Sequence, residues 1–541
     1  MKYVIIPSAK LAPSNLPNYG EIPMALYPIN GHTILHHIIA SYDKSCRFVV
    51  CGFEGWDRLK NHLDRKEYDG VRLHKLSKLS DLGYTIYDAI KNIDFSKNDE
   101  LIINLADTLI DNNNLVGDTI VSKNEQCHLK SKWTYFHETR GIIDLFENKK
   151  EMSINGLYRL FVGVVKIVNI EYFKLCLSDC IINNCGVSLF NALVKYSQIN
   201  PFNFVEVSRW LDLGHPNEYF EAQIAVKARE FNHMSFDKNR GIIRKTSDDK
   251  IKFKGEIEWY LKLPKKLQYV SPRIFEAGTG FDNLFIEMEF YSYPTLLELL
   301  IYGNHSKEDW VRIFDKIKFI LEDFKKYTTS NNDIGASLYD MYYTKTAQRF
   351  EKLKTNSQFS SFFDGDIVIN GIVYKNLTDI LEIIKNTVEK SLLNIDKFCI
   401  IHGDLCFANM LIDDKLNFVK LIDPRGKFGQ FDIYGDQRYE IAKLYHSVDG
   451  KYDYIIKDLF DAGRDGNSIN YRIKDNKDFS MFELMKQSFG DIIAGHEKEI
   501  EIIEALLFLS MIPLHGENIN HQYAMLGTGI EILNRHVNIK R

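Results

Sequence analysis

The chain has 541 residues, more than one domain core usually holds, and this length predicts two domains. Hydrophobic residues make up 45% of it and charged residues 26%, as in ordinary globular proteins. The formal net charge of −5 offers no broad basic surface, which argues against nucleic acid as a partner. The chain starts with a strand-like run and holds no apolar stretch of membrane-spanning length, so we expect a cytoplasmic protein without membrane insertion. The oligomeric state stays open, a homo-oligomer included.

Short apolar runs alternate with helical patterns through the first 225 residues. The apolar runs are typical of strands and lie at 3–9, 47–53, 71–76 and 100–107. Helical periodicity lies between them, from Thr33 to Ser41, over 54–64 and over 81–93. Strands that alternate with helices predict an α/β domain with a parallel, doubly wound, Rossmann-like sheet.

Two carboxylates are placed where such a sheet would bind a ligand. Parallel sheets bind ligands beyond the carboxyl ends of their strands, and Asp107 ends the run ELIINLAD. Asp212 follows a Trp-Leu pair and precedes Gly214. Two such acids could hold one Mg²⁺ on a nucleoside triphosphate, because Mg²⁺ prefers oxygen ligands. Asp107 and Asp212 are therefore the candidate metal ligands of this half.

Together with these acids, three segments resemble sugar-phosphate nucleotidyltransferases. They are PMALYPINGHTILHHII at 23–39, LGYTIYDAI at 82–90 and SRWLDLGHPNEYFEA at 208–222. The resemblance covers about residues 1–225. It implies that Asp107 and Asp212 bind the metal and that Gly83 lies close to the nucleotide base.

The loop after the first strand departs from that family. PSAKLAPSNLPNYG replaces the Gly-rich signature whose backbone N–H groups approach a triphosphate, and Met24 stands where the family has a lysine. Lys10 could supply one charge from the altered loop. Two interpretations follow: active transfer with a second nucleoside triphosphate, or a degenerate domain that binds sugar nucleotides or serves as a scaffold.

The junction between the two halves carries no Pro/Gly-rich linker. We place the boundary near 225–232, after the helical pattern NEYFEAQIAVKARE. The predicted domains are therefore 1–228 and 229–541. A junction this tight predicts domains that pack together.

The start of the second domain has the pattern of a kinase N-terminal lobe, which needs a Gly-marked turn, a strand lysine and a helix glutamate. The segment SFDKNRGIIRKTSDDKIKFKGEIEWYLKL reads as hairpin, strand and helix. It places Gly241 in the turn, Lys245 on the strand and Glu256 at the opening of the helix. A register shifted by a step or two would replace the lysine and the glutamate by Arg244 and Glu258.

The strongest motif is HGDLCFANML at 402–411, followed by LIDPRG at 421–426. Asp404 lies two residues after His402 and five before Asn409, which is the H-x-D-x4-N spacing of a kinase catalytic loop. In such a loop the Asp orients the nucleophile and the Asn binds metal. Asp423 ends an apolar run and would supply the second metal ligand. Two protein ligands suffice for Mg²⁺, because water and substrate phosphate fill the rest of its coordination shell.

These residues resemble the aminoglycoside phosphotransferase and choline kinase family, over about residues 232–541. The resemblance implies a bilobal, protein-kinase-like α+β domain that uses ATP and Mg²⁺, with an N-lobe at about 229–300 and a C-lobe at about 301–541. The implied roles are catalytic for Asp404, as the base, and for His402, metal-binding for Asn409 and Asp423, and nucleotide-binding for Lys245, Glu256 and Gly241.

The substrate side of that family domain is less clearly marked. DIYGDQRYEIAKLYHSV at 432–448 resembles members from bacterial surface-polysaccharide loci, in which Asp436 would support the site from behind. Arg425 would contact a substrate or phosphate, with a surface salt bridge as the alternative. Two polar and aromatic helical segments, which could equally be surface helices, supply the remaining substrate-pocket candidates, Lys345, Arg349 and His515.

The two resemblances together lead to one functional hypothesis. An ATP-dependent kinase would phosphorylate a sugar, choline, ethanolamine or a similar small alcohol or amine. The nucleotidyltransferase-like domain would activate that phosphate as a nucleotide conjugate for capsule or other surface polysaccharide. The alternative is a kinase fused to a catalytically degenerate, nucleotide-sugar-binding or regulatory domain. Antibiotic inactivation ranks last, because it gives no reason for the fused domain.

Overall fold

The computed structural model describes residues 1–111, 115–123, 133–147, 159–230, 234–237 and 239–541, with backbone alone for 145–147 and 225–230. The chain divides into two compact units. The first unit is Met1–Lys227 with Tyr302–Asn304, and the second is Ala228–Ile301 with His305–Arg541. The predicted boundary region near 225–232 includes residues 231 and 232, which lie outside the described residues.

The first unit alternates strands and helices. Its strands are β1 (Lys2–Ser8), β2 (Pro28–Ile29), β3 (His32–Thr33), β4 (Arg47–Gly52), β5 (Val71–Lys75), β6 (Glu100–Asn104), β7 (Thr108–Ile110), β8 (Thr119–Lys123), β9 (Tyr135–Thr139), β10 (Ile142–Glu147), β11 (Arg159–Ile167), β12 (Asn203–Glu206) and β13 (Trp210–Asp212). Its helices are α1 (Ile34–Ala40), α2 (Trp56–Lys66), α3 (Leu82–Ile90), α4 (Ile170–Ile182), α5 (Ser188–Ser197) and α6 (Pro216–Glu230), the last of which contains the division between the units.

A central sheet organises this unit, in the order β10-β9-β11-β6-β1-β4-β5, with β8 paired to β11 and β12 paired to β8. Strands β6, β1, β4 and β5 are parallel neighbours. In β1, the consecutive residues Val4, Ile5 and Ile6 are each 0% exposed. Because successive strand residues point to opposite faces, both faces of the sheet are covered.

The far side of the sheet differs from the sequence prediction. The parallel arrangement is confirmed for β1, β4, β5 and β6, but it is wrong for β11, which runs antiparallel to β6, β8 and β9. Antiparallel strands need only short turns, and the turn between β9 and β10 uses Arg140 and Gly141, both with positive φ. The sheet is therefore mixed and rich in parallel strands at its centre. Strand β6 ends at Asn104, so Asp107 lies in the following turn and not at the strand end.

The second unit begins with strands and continues mainly as helices. Its strands are β14 (Met234–Asp237), β15 (Ile242–Lys245), β16 (Ile274–Gly278), β17 (Phe285–Glu289), β18 (Thr328–Thr329), β19 (Ile367–Ile369), β20 (Ile372–Tyr374), β21 (Phe398–Ile400), β22 (Met410–Ile412), β23 (Val419–Leu421), β24 (Tyr434–Gly435), β25 (Phe460–Asp465) and β26 (Ser468–Ile473). Its helices are α7 (Lys250–Lys262), α8 (Leu296–Ile301), α9 (Lys307–Lys325), α10 (Ile334–Tyr339), α11 (Lys345–Lys354), α12 (Ser361–Asp364), α13 (Leu377–Thr387), α14 (Gln437–Val448), α15 (Tyr452–Ile456), α16 (Met481–Ile493), α17 (Glu497–Met511) and α18 (Ile519–His536).

An antiparallel sheet in the order β14-β15-β17-β16 opens the second unit. Helix α7 follows β15 and buries Phe253, Ile257 and Trp259. The side chain of Asp249 accepts the N–H of Lys252 and so caps the first turn of this helix. Glu256 therefore lies in the second turn of α7, and the expectation that it opens the helix is wrong.

The helical remainder positions the motif at 402–411. Strand β21 leads into it, and the hairpin of β22 and β23 connects it to the segment at 421–426. Helix α14 packs against α17, which packs against α18. None of the described helices combines the length and the apolar character that a membrane crossing requires.

Candidate functional site

Lys245 bonds to two other sequence-predicted residues of the second unit. Lys245 Nζ lies 2.8 Å from Glu256 Oε1 and 2.6 Å from Asp423 Oδ1. The alternative pair lies elsewhere, because Arg244 binds Glu287 at 2.7 Å and Glu258 binds Lys262 at 3.0 Å. The structure thus joins the strand, the helix and the segment after β23 through Lys245.

Burial and charge oppose each other in this cluster. Burial lowers the pKa of Lys245, but Asp423 and Glu256 outweigh it, so the pKa of the ammonium is raised. Burial raises the pKa of Glu256 to about 7, against the opposing effect of Lys245. A cation that binds a phosphate group must keep its charge, and the two carboxylates stabilise the charge on Lys245.

Backbone hydrogen bonds hold the two motif segments side by side. Arg425 N donates to His402 O at 2.9 Å, and Ile422 N donates to Asn409 O at 3.0 Å. The His402 ring Nε2 lies 3.0 Å from Ile422 O. Asn409 and Asp423 are consequently brought to the same edge of the site. Burial lowers the pKa of His402 to about 4, so the ring is neutral and has a structural role at neutral pH.

Asp404 is held by a cation that the motif does not contain. Lys443 Nζ, from α14, lies 2.8 Å from Asp404 Oδ1, and Asn409 Nδ2 donates to Asp404 Oδ2 at 3.2 Å. Burial raises the pKa of Asp404, but Lys443 outweighs it and the pKa falls to about 2. The carboxylate therefore stays ionised through the physiological range and can orient a hydroxyl group.

Glu440 supports this loop from behind. Its carboxylate accepts the backbone N–H of His402 at 2.7 Å and of Gly403 at 2.8 Å. The family resemblance predicts Asp436 for this role, but Asp436 accepts from Tyr342 at 2.7 Å and caps α14. The sequence signal for Glu440 and Lys443 was their spacing of three residues within the otherwise apolar run EIAKL, which places two charges on one helix face.

The oxygen groups of this site fit Mg²⁺. Asn409 directs its Nδ2 at Asp404, which leaves Oδ1 as the remaining ligand atom. The Asp423 side chain is 49% exposed and has a second carboxylate oxygen beyond the one at Lys245. Its backbone has a φ of +56°, which is uncommon for a residue other than glycine and is typical of functional sites.

The glycine predicted for the N-lobe turn takes a glycine-favoured conformation. Gly241 has a φ of +66°, and its N–H donates to Asp237 O at 2.9 Å. A Cβ at this position would have no neighbouring atom within 4 Å. Glycine is therefore favoured here by the backbone conformation and not by close packing.

Three of the predicted substrate groups form a cationic cluster. Arg425 Nη1 donates to Tyr439 OH at 3.0 Å, and Arg349 Nη1 donates to Ser510 O at 2.8 Å. Burial lowers the pKa of Lys345 to about 7, and the charges of Arg425 and Arg349 lower it further, against the opposing effect of Asp340. His515 contacts Glu517 at 3.1 Å instead.

The two predicted acids of the first unit also lie together. Strands β7 and β13 pair so that Thr108 opposes Asp212, and Leu213 N donates to Asp107 O at 2.8 Å. Asp212 Oδ2 accepts from Trp133 Nε1 at 2.5 Å and lies 2.7 Å from His215 Nδ1. Burial, followed by the charge of Asp212, raises the pKa of Asp107 to about 6.

Gly214 lies directly beside this acid pair. A Cβ at this position would lie 2.8 Å from Asp107 Oδ2 and 3.5 Å from Asp212 Oδ1. The absence of a side chain at Gly214 therefore leaves room for the two carboxylates beside it. Two adjacent carboxylates fit a divalent cation, because the cation would relieve their mutual repulsion.

The other two predicted nucleotide contacts of the first unit are placed differently. Lys10 is exposed, in a loop held by the bonds Leu11 N to Glu54 Oε2 at 3.1 Å and Ala12 N to Ile22 O at 2.9 Å. Gly83 packs against α5, where a Cβ would lie 2.1 Å from Ser188 Oγ. Close helix packing is thus a sufficient reason for glycine at position 83.

No family model and no curated protein matches this sequence. Solved structures similar to it include a CTP:phosphocholine cytidylyltransferase from Streptococcus pneumoniae, with 16% identity, 42% of this chain and 99% of that chain covered, and a TM-score of 0.34. A UDP-glucose pyrophosphorylase in complex with UDP-glucose shares 14% identity over 42% and 99% of the two chains, with a TM-score of 0.35. An inositol-1-phosphate CTP transferase from T. maritima shares 13% identity over 42% and 96%, with a TM-score of 0.32.

Proposed function

We propose that residues 229–541 transfer a phosphoryl group from Mg-ATP to a hydroxyl group of a small molecule. The observation that carries this proposal is the cluster around Lys245, which binds Glu256 at 2.8 Å and Asp423 at 2.6 Å. Phosphoryl-transfer sites of the protein-kinase type require a strand lysine paired with a helix glutamate, near a metal-binding aspartate. Asp404 and Asn409 complete the set.

Each residue has a distinct role in this proposal. Lys245 binds nucleotide phosphate, while Asn409 and Asp423 hold Mg²⁺, which neutralises developing charge on the phosphates. Asp404 orients the attacking hydroxyl, since a carboxylate with a pKa of about 2 is a weak base and the transition state is loose. Lys443 fixes the position of that carboxylate from α14.

The cationic cluster narrows the choice of acceptor. Burial and the charge of Arg425 lower the pKa of both Lys345 and Arg349, so this surface repels a further cation. We therefore favour a sugar or another uncharged or anionic alcohol over choline and ethanolamine. A role in surface-polysaccharide synthesis rests on the sequence resemblance alone.

For residues 1–228 we propose a nucleotide-binding domain of the nucleotidyltransferase type, with Asp107 and Asp212 as ligands of a metal-bound second nucleoside triphosphate. The paired carboxylates support this role. The loop that carries Lys10 favours the second candidate, a degenerate domain that binds without turnover, because it offers no glycine-rich cradle for a triphosphate.

One experiment on the full-length protein tests both proposals. The protein is incubated with Mg²⁺ and γ-labelled ATP over a panel of sugars, amino alcohols and polyols, and labelled product is counted. We expect transfer to one alcohol and a loss of about 10²–10⁴-fold in Asp404→Asn with ATP binding kept. Equal transfer by the variant would contradict the role of Asp404. Pyrophosphate release from CTP or UTP with that product would favour the active first domain.

A further inference from the structure

Three side chains at the start of α18, one of them the substrate candidate His515, have the geometry of a metal site. His515, Glu517 and His521 each offer one ligand atom, and these atoms all lie within 4.8 Å of one another. His515 Nδ1 is 3.1 Å from Glu517 Oε1. His515 and Glu517 lie in the turn before α18, and His521 is in its first turn.

A buried nitrogen of His521 points to a ligand. The residue is 7% exposed, and among the described residues its Nδ1 has no hydrogen-bond partner. Buried polar atoms almost always have a hydrogen-bond partner, so an unpaired one calls for an explanation. A metal ion would satisfy the lone pair of Nδ1.

The second nitrogen of each histidine already has a partner. His521 Nε2 is 2.7 Å from Asp458 Oδ1, and His515 Nε2 is 3.4 Å from Tyr452 OH. Metal-binding histidines commonly use their other nitrogen in this way, with a carboxylate or another polar group that fixes the ring orientation. This leaves Nδ1 of each ring to bind a metal ion.

We propose that His515, Glu517 and His521 bind a divalent transition-metal ion of the zinc class. Two imidazoles and one carboxylate suit Zn²⁺ and similar first-row ions far better than Mg²⁺ or Ca²⁺, which prefer oxygen ligands throughout. The Glu517 side chain is 62% exposed, so a fourth position faces solvent. Water or a substrate oxygen would take that position.

The site lies beside the groups that hold Asp404, within the same unit. The Tyr452 ring contacts His515 at 5.8 Å and stacks on His446 at 4.2 Å between ring centroids. His446 is three residues after Lys443 on α14, and Lys443 binds Asp404. A bound ion would thus immobilise Tyr452 next to the phosphoryl-transfer residues, although ion binding itself requires neither ATP nor Mg²⁺.

The test measures metal retention by the full-length protein without nucleotide. Protein treated with a chelator is reloaded with Zn²⁺ or Co²⁺, desalted and analysed for metal per chain and for the visible absorption of Co²⁺. We expect one retained ion per chain, with affinity reduced at least tenfold in both His521→Gln and Glu517→Gln. Glu517 is exposed, so its substitution leaves folding intact even if the variant at His521 does not fold.

A control variant separates this site from other histidines. His32 and His36 stack at 4.6 Å in the first unit and form another histidine cluster, so His36→Gln is the matched control. It should retain the ion with the Co²⁺ spectrum of the unmodified protein. Three outcomes would each overturn the proposal. Glu517→Gln could retain the ion as well as the unmodified protein does, His36→Gln could lose it instead, or the unmodified protein could retain no ion.

Discussion

The two candidate nucleotide sites differ in how their charges are balanced. In the second unit, Lys245 binds Glu256 and Asp423, and Lys443 binds Asp404, so each of these carboxylates has a cation. In the first unit, Asp107 faces Asp212, and burial with that like charge raises the pKa of Asp107 to about 6. The carboxylates of the second unit are thus paired with cations of the protein itself, whereas the acid pair of the first unit would be stabilised by a bound cation.

The two units also differ in how many of the groups needed at a nucleotide site each one brings together. The second unit brings the proposed nucleotide-binding and acceptor-orienting groups together from a strand, a helix and two loops, all held by hydrogen bonds. The first unit supplies paired acids but has an ordinary bonded loop where triphosphate-binding glycines would lie. We therefore expect substitutions to affect catalysis in the second unit and ion-dependent stability in the first.

After Asp404→Asn, the largest effect is expected for Lys245→Ala. Loss of this preorganised cation should reduce phosphoryl transfer by about 10²–10³-fold, since it would stabilise charge on the phosphates. The adjacent Arg244→Ala is the matched control, because Arg244 binds Glu287 and lies over the Phe285 ring. Steady-state kinetics with ATP distinguish them: a larger loss in Arg244→Ala would mean that the register of the strand is misassigned.

A smaller effect is expected for Glu440→Gln. One amide oxygen cannot replace two carboxylate oxygens that accept from His402 N and Gly403 N. We expect the free energy of unfolding to fall by about 1–3 kcal/mol and kcat to fall with little change in the KM for ATP. Denaturant unfolding and initial rates measure both. The control is Glu382→Gln, at an exposed helix position, and an equal effect there would remove Glu440 from the site.

The smallest effect on phosphoryl transfer is expected for Asp107→Asn, which changes stability instead, in a way that depends on pH. Its pKa is raised from 3.8 to about 6, so the folded state favours the protonated form, and that stability is lost as pH rises from about 4 through 6. The neutral amide avoids this loss, and we expect it to stabilise the metal-free protein at pH 7.5 by about 1–3 kcal/mol.

Melting curves with and without Mg²⁺ and CTP or UTP test this expectation. Mg²⁺ with the nucleotide should stabilise the unmodified protein at pH 7.5 and have little effect on Asp107→Asn. Asp94→Asn, at an exposed position outside the helices and strands, is the control and should behave as the unmodified protein. If Asp107→Asn were destabilising at pH 7.5 and kept the Mg²⁺ response, the carboxylate pair would not be a cation site.

Short-range patterns predicted much of what the structure contains. The strand and helix pattern of the first unit is found with shifts of a few residues, and the hairpin, strand and helix at the start of the second unit occur in that order. The antiparallel direction of β11 was missed, because strand direction depends on connections and not on periodicity. The positions of Lys443 and Glu440 beside 402–404 were also missed, since about 36–41 residues separate them along the chain.

The sequence by itself determined the local chemistry: the H-x-D-x4-N loop, the acid pair candidates and the α/β alternation, all of which depend on neighbouring residues or on hydrophobic period. Only the tertiary structure decided which charges meet. It pairs Lys245, not Arg244, with Glu256 and places Glu440 where Asp436 was expected. The physical reason is that pairing of buried charges depends on how helices and loops pack, and packing is set by contacts between residues that are far apart in the chain.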